Sequence, residues 1–329
     1  MQYTRTSKLS IVKRHAVIAS MIVACLPAGA QCYNLSFNQS SGDSVVGTGS
    51  PFTYTYYNTN STLYVNHGNA PNYIMQDNSS SLNSPSSTGI AVGNGGLGDV
   101  TAAQLGTNVY MSYLSTSNVP SIAVSPDNVG WPTTHPFTVS GGYTANPLFT
   151  PTLIAYNGVL VAAFVYGSNV YVATSSNGQV FNVAGIANSN YGTLSRPAMA
   201  VLNNNLYLAY TTSGGTLVIG TVYTNGTFSP HLAIQPGYEF GNSNSKGVFA
   251  GVALLGDVFS GQMWVFGQQT SSSQYMEETY GTGTSFQQPF TCTYAQLRYT
   301  PSISQFPGNG FTFIVFQGDH NTNVWYGAN

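Results

Sequence analysis

The stretch Thr150–Phe181, TPTLIAYNGVLVAAFVYGSNVYVATSSNGQVF, is the clearest copy of a unit that recurs through most of the chain. It contains three short runs rich in β-branched and aromatic residues, Thr152–Tyr156, Val159–Tyr166 and Val170–Thr174. Asn157-Gly158 separates the first two runs, and this dipeptide supplies the two positive φ angles of a type I′ hairpin turn. The stretch therefore predicts consecutive antiparallel strands joined by tight turns.

The same order of strands and turns returns regularly along the chain. Copies begin near residues 51, 101, 151, 197, 249 and 301, and the last copy ends after three runs. A supersecondary unit of about four strands, repeated every ~40–50 residues, is typical of a β-propeller. A lone run at Tyr33–Phe37 precedes the first copy and could supply the outer strand that the last copy lacks, leaving no open sheet edge. The sequence therefore predicts an all-β fold, a six-bladed β-propeller closed by its N-terminal strand.

Residues Met1–Ala30 have the composition of a secretory signal peptide. A basic segment precedes the apolar run Ala16–Leu26, and Ala28-Gly29-Ala30 forms a small-residue cleavage site. The apolar run is too short to span a membrane, and no later stretch approaches ~18 uninterrupted apolar residues. We therefore expect a secreted, extracellular protein cleaved near Ala30, without membrane insertion, in which residues 31–329 form one propeller domain.

Charge and composition exclude several classes of partner and cofactor. Beyond residue 30 only Arg196, Lys246 and Arg298 are basic, against all nine acidic residues, so a nucleic-acid partner is not expected. A content of 42% hydrophobic and 13% aromatic residues supplies material for a core. The glycine-rich Gly93–Gly98 lacks the lysine and following helix of a phosphate loop, and the histidines lack metal-ligand spacing. We therefore expect no cofactor and no metal.

Two cysteines, Cys32 and Cys292, remain after the predicted signal peptide. In a secreted protein such a pair favours a disulfide over two free thiols or a metal site, since neither cysteine has a second ligand at metal spacing. If Tyr33–Phe37 completes the last blade, Cys32 lies near the outer strand of the neighbouring blade, where Cys292 falls. A Cys32–Cys292 bridge would then help to close the propeller.

The loops of a propeller blade alternate between two faces. Turns after the first and third strands share one face, whereas turns after the second strand and links between blades share the other. The tight Asn/Gly turns fall on the first face, and the predicted ligand-binding residues all fall on the second: Arg196, Arg298, Lys246, Asp99, Glu239, His67, Asp319 and His320. There the arginines could donate paired hydrogen bonds to hydroxyls or to a carboxylate. In the alternative interpretation, the arginine and aspartate side chains only form ion pairs with one another and keep the edge of this face hydrated.

Three turns carry residues at the spacing of the Asp-box, S-x-D-x-G-x-x-W. The matching sets are Thr174, Ser176, Gly178 and Phe181; Thr279, Gly281, Gly283 and Phe286; and, with Gly and Trp out of register, Ser125, Asp127, Gly130 and Trp131. Through these residues the chain resembles the sialidase-like propellers. The resemblance implies that the box is structural and lies on the face opposite the active site.

The same resemblance implies a way to test for catalysis. Sialidases clamp a sialic carboxylate with three arginines and use a tyrosine nucleophile assisted by Glu, with an Asp as acid/base. Here Asp99 could be the acid/base, but only two arginines remain, so Lys246 would have to act as the third cation although it is not a planar fork. No feature singles out one tyrosine, so no catalytic residue is assigned beyond Asp99.

Three functions follow from these observations. The first hypothesis is a non-catalytic secreted propeller that recognises carbohydrate or another polar extracellular ligand. The second is a divergent exo-sialidase-like glycoside hydrolase, and the third is a structural or adhesive surface protein that presents loops to a protein partner.

Glu277-Glu278 interrupts a third strand, and we expect one of these two carboxylates to lie on the exposed side of its sheet.

Overall fold

The described part of the chain is extensive from residue 100 onward. The computed structural model describes residues 100–115, 117, 119–126, 130–146, 149–189, 196–212, 216–234, 249–269, 275–287, 290–297, 300–305, 312–317 and 324–328, and the backbone of five strands before residue 92. All of them belong to one compact unit, Gln31–Asn329. The predicted signal peptide lies outside the described residues and stays a prediction.

The described residues form six four-stranded antiparallel sheets. Sheet 1 contains β2 (Phe52–Tyr56), β3 (Ser61–His67), β4 (Tyr73–Asp77) and β5 (Ile90–Ala91). Sheet 2 contains β6 (Thr101–Leu105), β7 (Asn108–Leu114), β8 (Pro120–Ser125) and β9 (Thr133–Pro136). Sheet 3 contains β10 (Thr152–Tyr156), β11 (Val159–Tyr166), β12 (Asn169–Ser175) and β13 (Asn182–Ser189).

The remaining three sheets repeat this order. Sheet 4 contains β14 (Ala198–Leu202), β15 (Asn205–Thr211), β16 (Leu217–Val222) and β17 (Phe228–Ile234). Sheet 5 contains β18 (Phe249–Asp257), β19 (Gln262–Gln269), β20 (Tyr275–Gly281) and β21 (Phe290–Gln296). Sheet 6 joins β22 (Ser302–Gln305), β23 (Thr312–Gln317) and β24 (Val324–Ala328) to the N-terminal β1 (Ser36–Gln39).

The repeat predicted from sequence places the sheets correctly. Each predicted start lies within one residue of the start of β2, β6, β10, β14, β18 or β22. The turn between β10 and β11 has Asn157 at φ 51° and Gly158 at φ 77°, and the turn between β14 and β15 has Asn203 at φ 50° and Asn204 at φ 58°. Two successive positive φ angles in a two-residue loop define type I′ geometry, which the sequence predicted for Asn157-Gly158 and which the Asn203-Asn204 turn shares.

The core lies between the faces of successive sheets. On β11, Leu160, Ala162 and Phe164 pack toward sheet 2, whereas Val161 and Val165 pack toward sheet 4. Similar apolar clusters fill the spaces between sheets 4 and 5 and between sheets 5 and 6. Because sheets 3 to 5 are covered on both faces, the central residues of their second strands are apolar on both faces, and polar residues are confined to the strand ends.

The first strands of the sheets lie beside one another in chain order. β6 contacts β2 and β10, β14 contacts β10 and β18, and β22 contacts β18 and β2. The N-terminal β1 pairs antiparallel with β24, with Ser36 opposite Ala328 and Gln39 opposite Trp325. The N-terminal strand therefore occupies the outer position of sheet 6, although it begins at Ser36 and the run identified from sequence began at Tyr33.

No helix among the described residues is long and apolar enough to cross a membrane.

Candidate functional site

A cavity of about 370 Å³ lies among the first strands. Described residues from β6, β10, β14, β18 and β22 line it, so five sheets contribute to one central space. Its polar lining includes the hydroxyls of Thr101, Thr152 and Ser302 and the side-chain amides of Gln104 and Gln305; the rest is mainly aliphatic. A volume of this order lies within the ~300–1,000 Å³ range of small-molecule sites.

Threonine hydroxyls tie the starts of neighbouring first strands together. Thr101 Oγ1 donates to the carbonyl oxygen of Pro151 at 2.9 Å and accepts from the backbone N–H of Leu153 at 3.1 Å. Thr152 Oγ1 donates in the same way to the carbonyl oxygen of Pro197. Buried polar groups are costly unless they are hydrogen-bonded, so this pattern fixes the position of each first strand relative to the next.

Arg196 lies at this end of the cavity and is the only charged residue among its described lining. It is 5% exposed, and its Nη1 donates to the carbonyl oxygen of Val100 at 3.1 Å. Val100 directly precedes β6, whereas Arg196 belongs to the segment that leads into β14, so the side chain bridges sheets that are not adjacent. Arg196 therefore faces the cavity while it holds two strand starts in place.

Exposure changes along the first strands. Thr101, Thr152 and Ser302, at the strand starts, are buried, whereas Gln104 and Gln305, near the strand ends, are partly exposed. At that second end Val258, which also lines the cavity, is 60% exposed. Among the described residues, the cavity lining is therefore more exposed at the end that carries the turns between first and second strands, which is opposite the link face on which the sequence predicted the ligand site.

Asp257 organises the turn at the accessible end. Its carboxylate accepts hydrogen bonds from the backbone N–H groups of Phe259 and Ser260, from Ser260 Oγ at 2.6 Å and from Gln305 Nε2 at 2.8 Å. Burial alone would raise the pKa of Asp257, but these hydrogen bonds outweigh burial and hold the pKa below its ordinary value. The network links the β18–β19 turn to sheet 6 and leaves Val258 and Phe259 exposed.

Two of the predicted site residues fall among the residues that the structure describes. Of these, Arg196 is described in full, and His67 is described as the last residue of β3. The others lie outside the described residues and stay predictions: Arg298, Lys246, Asp99, Glu239, Asp319 and His320. Among the described residues, no group of three His, Cys, Asp or Glu side chains is arranged to hold a metal ion.

The turn at Ser175–Phe181 shows how the Asp-box-like segments are built. The N–H of Gly178 donates to Ser175 Oγ at 3.0 Å, and the N–H of Gln179 donates to Asn177 Oδ1 at 3.0 Å. Phe181 is fully buried and packs on Phe137 with ring centroids 4.8 Å apart. By spacing, Thr174 and Ser176 match the motif. The side chains that stabilise the turn are instead those of Ser175 and Asn177, each one position later in the sequence.

Sheet 5 holds two acidic residues in its interior. Glu277 is 1% exposed and Glu278 is 0% exposed, so the expectation that one carboxylate lies on an exposed side is wrong. Adjacent strand residues point to opposite faces, and both faces of sheet 5 are covered by neighbouring sheets. Neither residue lines the central cavity.

Sequence reasoning also missed the Asp257 turn. The order Asp257-Val258-Phe259-Ser260-Gly261 follows a predicted apolar run, and an aspartate at the start of such a segment is a known turn signal. The turn could therefore have been found from sequence. The contact with Gln305 could not, because 48 residues separate the two side chains.

Comparisons with known proteins place the fold but not a family. No family model matches the chain, and no curated protein matches it in sequence. Among solved structures, AofleA from Arthrobotrys oligospora is 12% identical, with a TM-score of 0.64 over 88% of this chain and 85% of that one.

Two further structures are similar over much of the chain. A mutant of Trypanosoma rangeli sialidase displaying trans-sialidase activity is 10% identical, with a TM-score of 0.60 over 92% of this chain and 60% of that one. A lectin from Burkholderia pseudomallei is 14% identical, with a TM-score of 0.57 over 83% of this chain and 79% of that one. The chain is therefore similar in fold to a sialidase and to a lectin, and at these identities the similarity concerns the fold alone.

Proposed function

We propose that this protein is a closed six-bladed β-propeller that recognises carbohydrate, or another polar extracellular ligand, without catalysis. The observation that carries the proposal is the chemistry of the central cavity. Hydroxyls, side-chain amides and one guanidinium line it beside aliphatic surface, and no carboxylate occurs among its described lining residues. Several of these groups already make hydrogen bonds within the protein, and hydroxyl, amide and guanidinium groups each have more than one hydrogen-bonding position with which to meet a polar ligand such as a sugar.

The order of the first strands supports a closed propeller. Contacts run from β2 through β6, β10, β14 and β18 to β22, and β22 also contacts β2. The pairing of β1 with β24 joins the beginning of the chain to its end. This pairing gives the last sheet the fourth strand that each of the other described sheets has.

A divergent glycoside hydrolase is the second candidate. The similarity in fold to the Trypanosoma rangeli sialidase favours it. Ordinary glycoside hydrolysis requires two carboxyl groups about 5–9 Å apart across the scissile bond. The carboxylate of Asp257 is engaged in its turn, and Glu277 and Glu278 are buried within sheet 5, so Asp99 stays the proposed acid/base of this alternative.

Secretion and the disulfide belong to the same proposal. Met1–Ala30 would be removed on export, and the mature protein would be extracellular. Cys292 lies fully buried on β21 and is disulfide-bonded. We propose Cys32 as its partner because Cys25, the remaining cysteine in the sequence, would leave with the signal peptide.

A glycan array with matched variants tests the proposed function. Ala155→Phe adds bulk at a cavity-lining position, and Thr107→Phe adds the same bulk in an exposed turn at the same end of the molecule. We expect wild type and Thr107→Phe to bind the same glycans, and Ala155→Phe to lose them while it keeps wild-type thermal stability. Equal binding by all three proteins would contradict recognition in the cavity.

Turnover of aryl glycosides and sialosides distinguishes the candidates. Glycan binding without release of the aryl group supports the non-catalytic module. Release that disappears in Asp99→Asn supports the hydrolase, because the amide cannot exchange a proton as an acid/base must. Absence of both binding and release favours the third hypothesis, a structural or adhesive surface protein.

A further inference from the structure

Three tyrosines form a cluster between sheets 2 and 3. Tyr143 precedes sheet 3 in the link from β9 to β10, Tyr166 ends β11, and Tyr171 lies on β12. Ring centroids are 5.5 Å apart for Tyr143 and Tyr166, 5.0 Å for Tyr143 and Tyr171, and 6.0 Å for Tyr166 and Tyr171. The interplanar angles of 80°, 52° and 65° correspond to edge-to-face and tilted contacts, the arrangements that aromatic pairs prefer.

The cluster extends from the core to the surface. Tyr171 stacks on Phe164, which is 1% exposed, at a centroid distance of 5.6 Å. Tyr143 is half-buried, and Tyr166 is 41% exposed. The more buried rings of Tyr143 and Tyr171 therefore pack against Tyr166, and part of the Tyr166 ring remains exposed to solvent.

Backbone contacts hold the two tyrosine-bearing elements together. The N–H of Asn146 donates to the carbonyl oxygen of Val165 at 2.7 Å, next to Tyr166, and the N–H of Ser140 donates to the carbonyl oxygen of Phe181 at 2.9 Å. Between these bonds Gly141 and Gly142 adopt φ angles of 83° and 80°, which turn the chain toward Tyr143. The rings are therefore fixed before any ligand arrives, which lowers the entropic cost of binding.

The surroundings of the cluster are polar but carry no formal charge. The segments 138–146 and 160–171 contain no Asp, Glu, Lys or Arg, whereas Thr144 and Ser168 are exposed beside the rings in the sequence. A charged ligand would find no partner in these segments. A neutral molecule with one apolar face and several hydroxyls would match them.

We propose that Tyr143, Tyr166 and Tyr171 form a second binding site, which stacks the apolar face of a neutral pyranose ring on Tyr166. This inference rests on the proposed carbohydrate recognition but uses a different part of the molecule. Tyr166 lies at the end where the first strands begin, whereas the central cavity is most accessible from the opposite end. A proline-rich peptide also docks on aromatic side chains, but it requires a groove lined by several exposed rings, whereas here Tyr171 is buried and Tyr143 is half-buried.

The test compares wild type, Tyr166→Ala, Tyr166→Phe and Tyr223→Ala on an array of neutral oligosaccharides, followed by calorimetry with the strongest binder. Tyr223 is the matched control, because it is 52% exposed, lies in the β16–β17 turn and does not line the central cavity. We expect Tyr166→Ala to weaken binding by about tenfold, since an aromatic contact contributes about 0.5–1.5 kcal/mol. The other two variants should change affinity by less than about twofold, because Tyr166→Phe keeps the ring and Tyr223 is remote from both proposed sites.

Each alternative result is informative. Unchanged affinity in Tyr166→Ala overturns the second site. Loss of glycan binding in Ala155→Phe alone also overturns it but leaves recognition in the cavity standing. Wild type that binds no glycan overturns both proposals, and a polyproline peptide that binds wild type but not Tyr166→Ala in that case reassigns the cluster to peptide binding.

Discussion

Gly178→Ala should destabilise the protein far more than Gly158→Ala, although the two glycines have nearly the same backbone conformation. Their φ angles are 76° and 77°, in the left-handed region that an L-residue enters at a cost of about 1–2 kcal/mol. A Cβ on Gly158 would have no heavy atom within 4 Å. A Cβ on Gly178 would lie 2.5 Å from Cε1 and 2.6 Å from Cδ1 of Tyr110, in the neighbouring sheet.

The expected magnitudes follow from these distances. Gly158→Ala should cost only the conformational term of about 1–2 kcal/mol. Gly178→Ala adds overpacking of about 1–3 kcal/mol, because Tyr110 is 5% exposed and its ring cannot move into solvent. The total for Gly178→Ala is therefore about 2–5 kcal/mol.

Guanidinium unfolding monitored by circular dichroism measures both variants against wild type. Adding Tyr110→Leu to Gly178→Ala should recover part of the loss, and the double-mutant cycle isolates the contact from the backbone term. Equal decreases in unfolding free energy for the two glycine variants would refute the reasoning, because they would show that a Cβ at Gly178 in sheet 3 does not clash with Tyr110 in sheet 2. Retained glycan binding in Gly178→Ala would further agree with a structural role for this Asp-box-like turn.

Three further predictions concern the ends of the cavity. Asp257→Asn should lower the unfolding free energy at pH 7 by about 1–3 kcal/mol. Because folding lowers the pKa of Asp257, the carboxylate contributes its full stabilisation above the ordinary aspartate pKa of about 4, and this stabilisation is lost as the pH falls below that value. The difference in unfolding free energy between wild type and Asp257→Asn should therefore become smaller in acid. A difference that does not change with pH would contradict this prediction. Thr101→Val should cost about 1–3 kcal/mol because it removes the hydroxyl that bridges Pro151 and Leu153, whereas Thr107→Val, in an exposed turn, should stay within about 0.5 kcal/mol by the same unfolding assay. Arg196→Lys should lower thermal stability by removing the guanidinium bond to Val100, and an unchanged melting temperature would show that this bond contributes little.

Much of the fold could be predicted because its signals are local. Asn157-Gly158 and Asn203-Asn204 each sit between apolar runs, and their side chains and backbones favour positive φ regardless of the rest of the protein. Recurrence of this pattern gave sheet starts correct to one residue. The N-terminal strand was predicted to complete the last sheet because one strand was left over and one was missing, and β1 does pair with β24.

The candidate site was less predictable because its contacts are long-range. Arg196 was expected on a ligand-binding face, but 96 residues separate it from Val100, whose carbonyl oxygen it meets. No local pattern reveals such a contact. Glu277 and Glu278 were misplaced for a related reason, since a two-residue alternation does not say whether one or both faces of a sheet are covered.

The sequence by itself determined the β-strand repeat, the turn types and the place of the N-terminal strand, because these depend on spacing and on the conformational preferences of neighbouring residues. Only the tertiary structure decided which side chains line the cavity, from which end it is accessible, and that Tyr143, Tyr166 and Tyr171 meet in one cluster. These features arise when separate sheets pack face to face. Burial, exposure and ring contacts are then set by the neighbouring sheet, whose residues are distant in sequence.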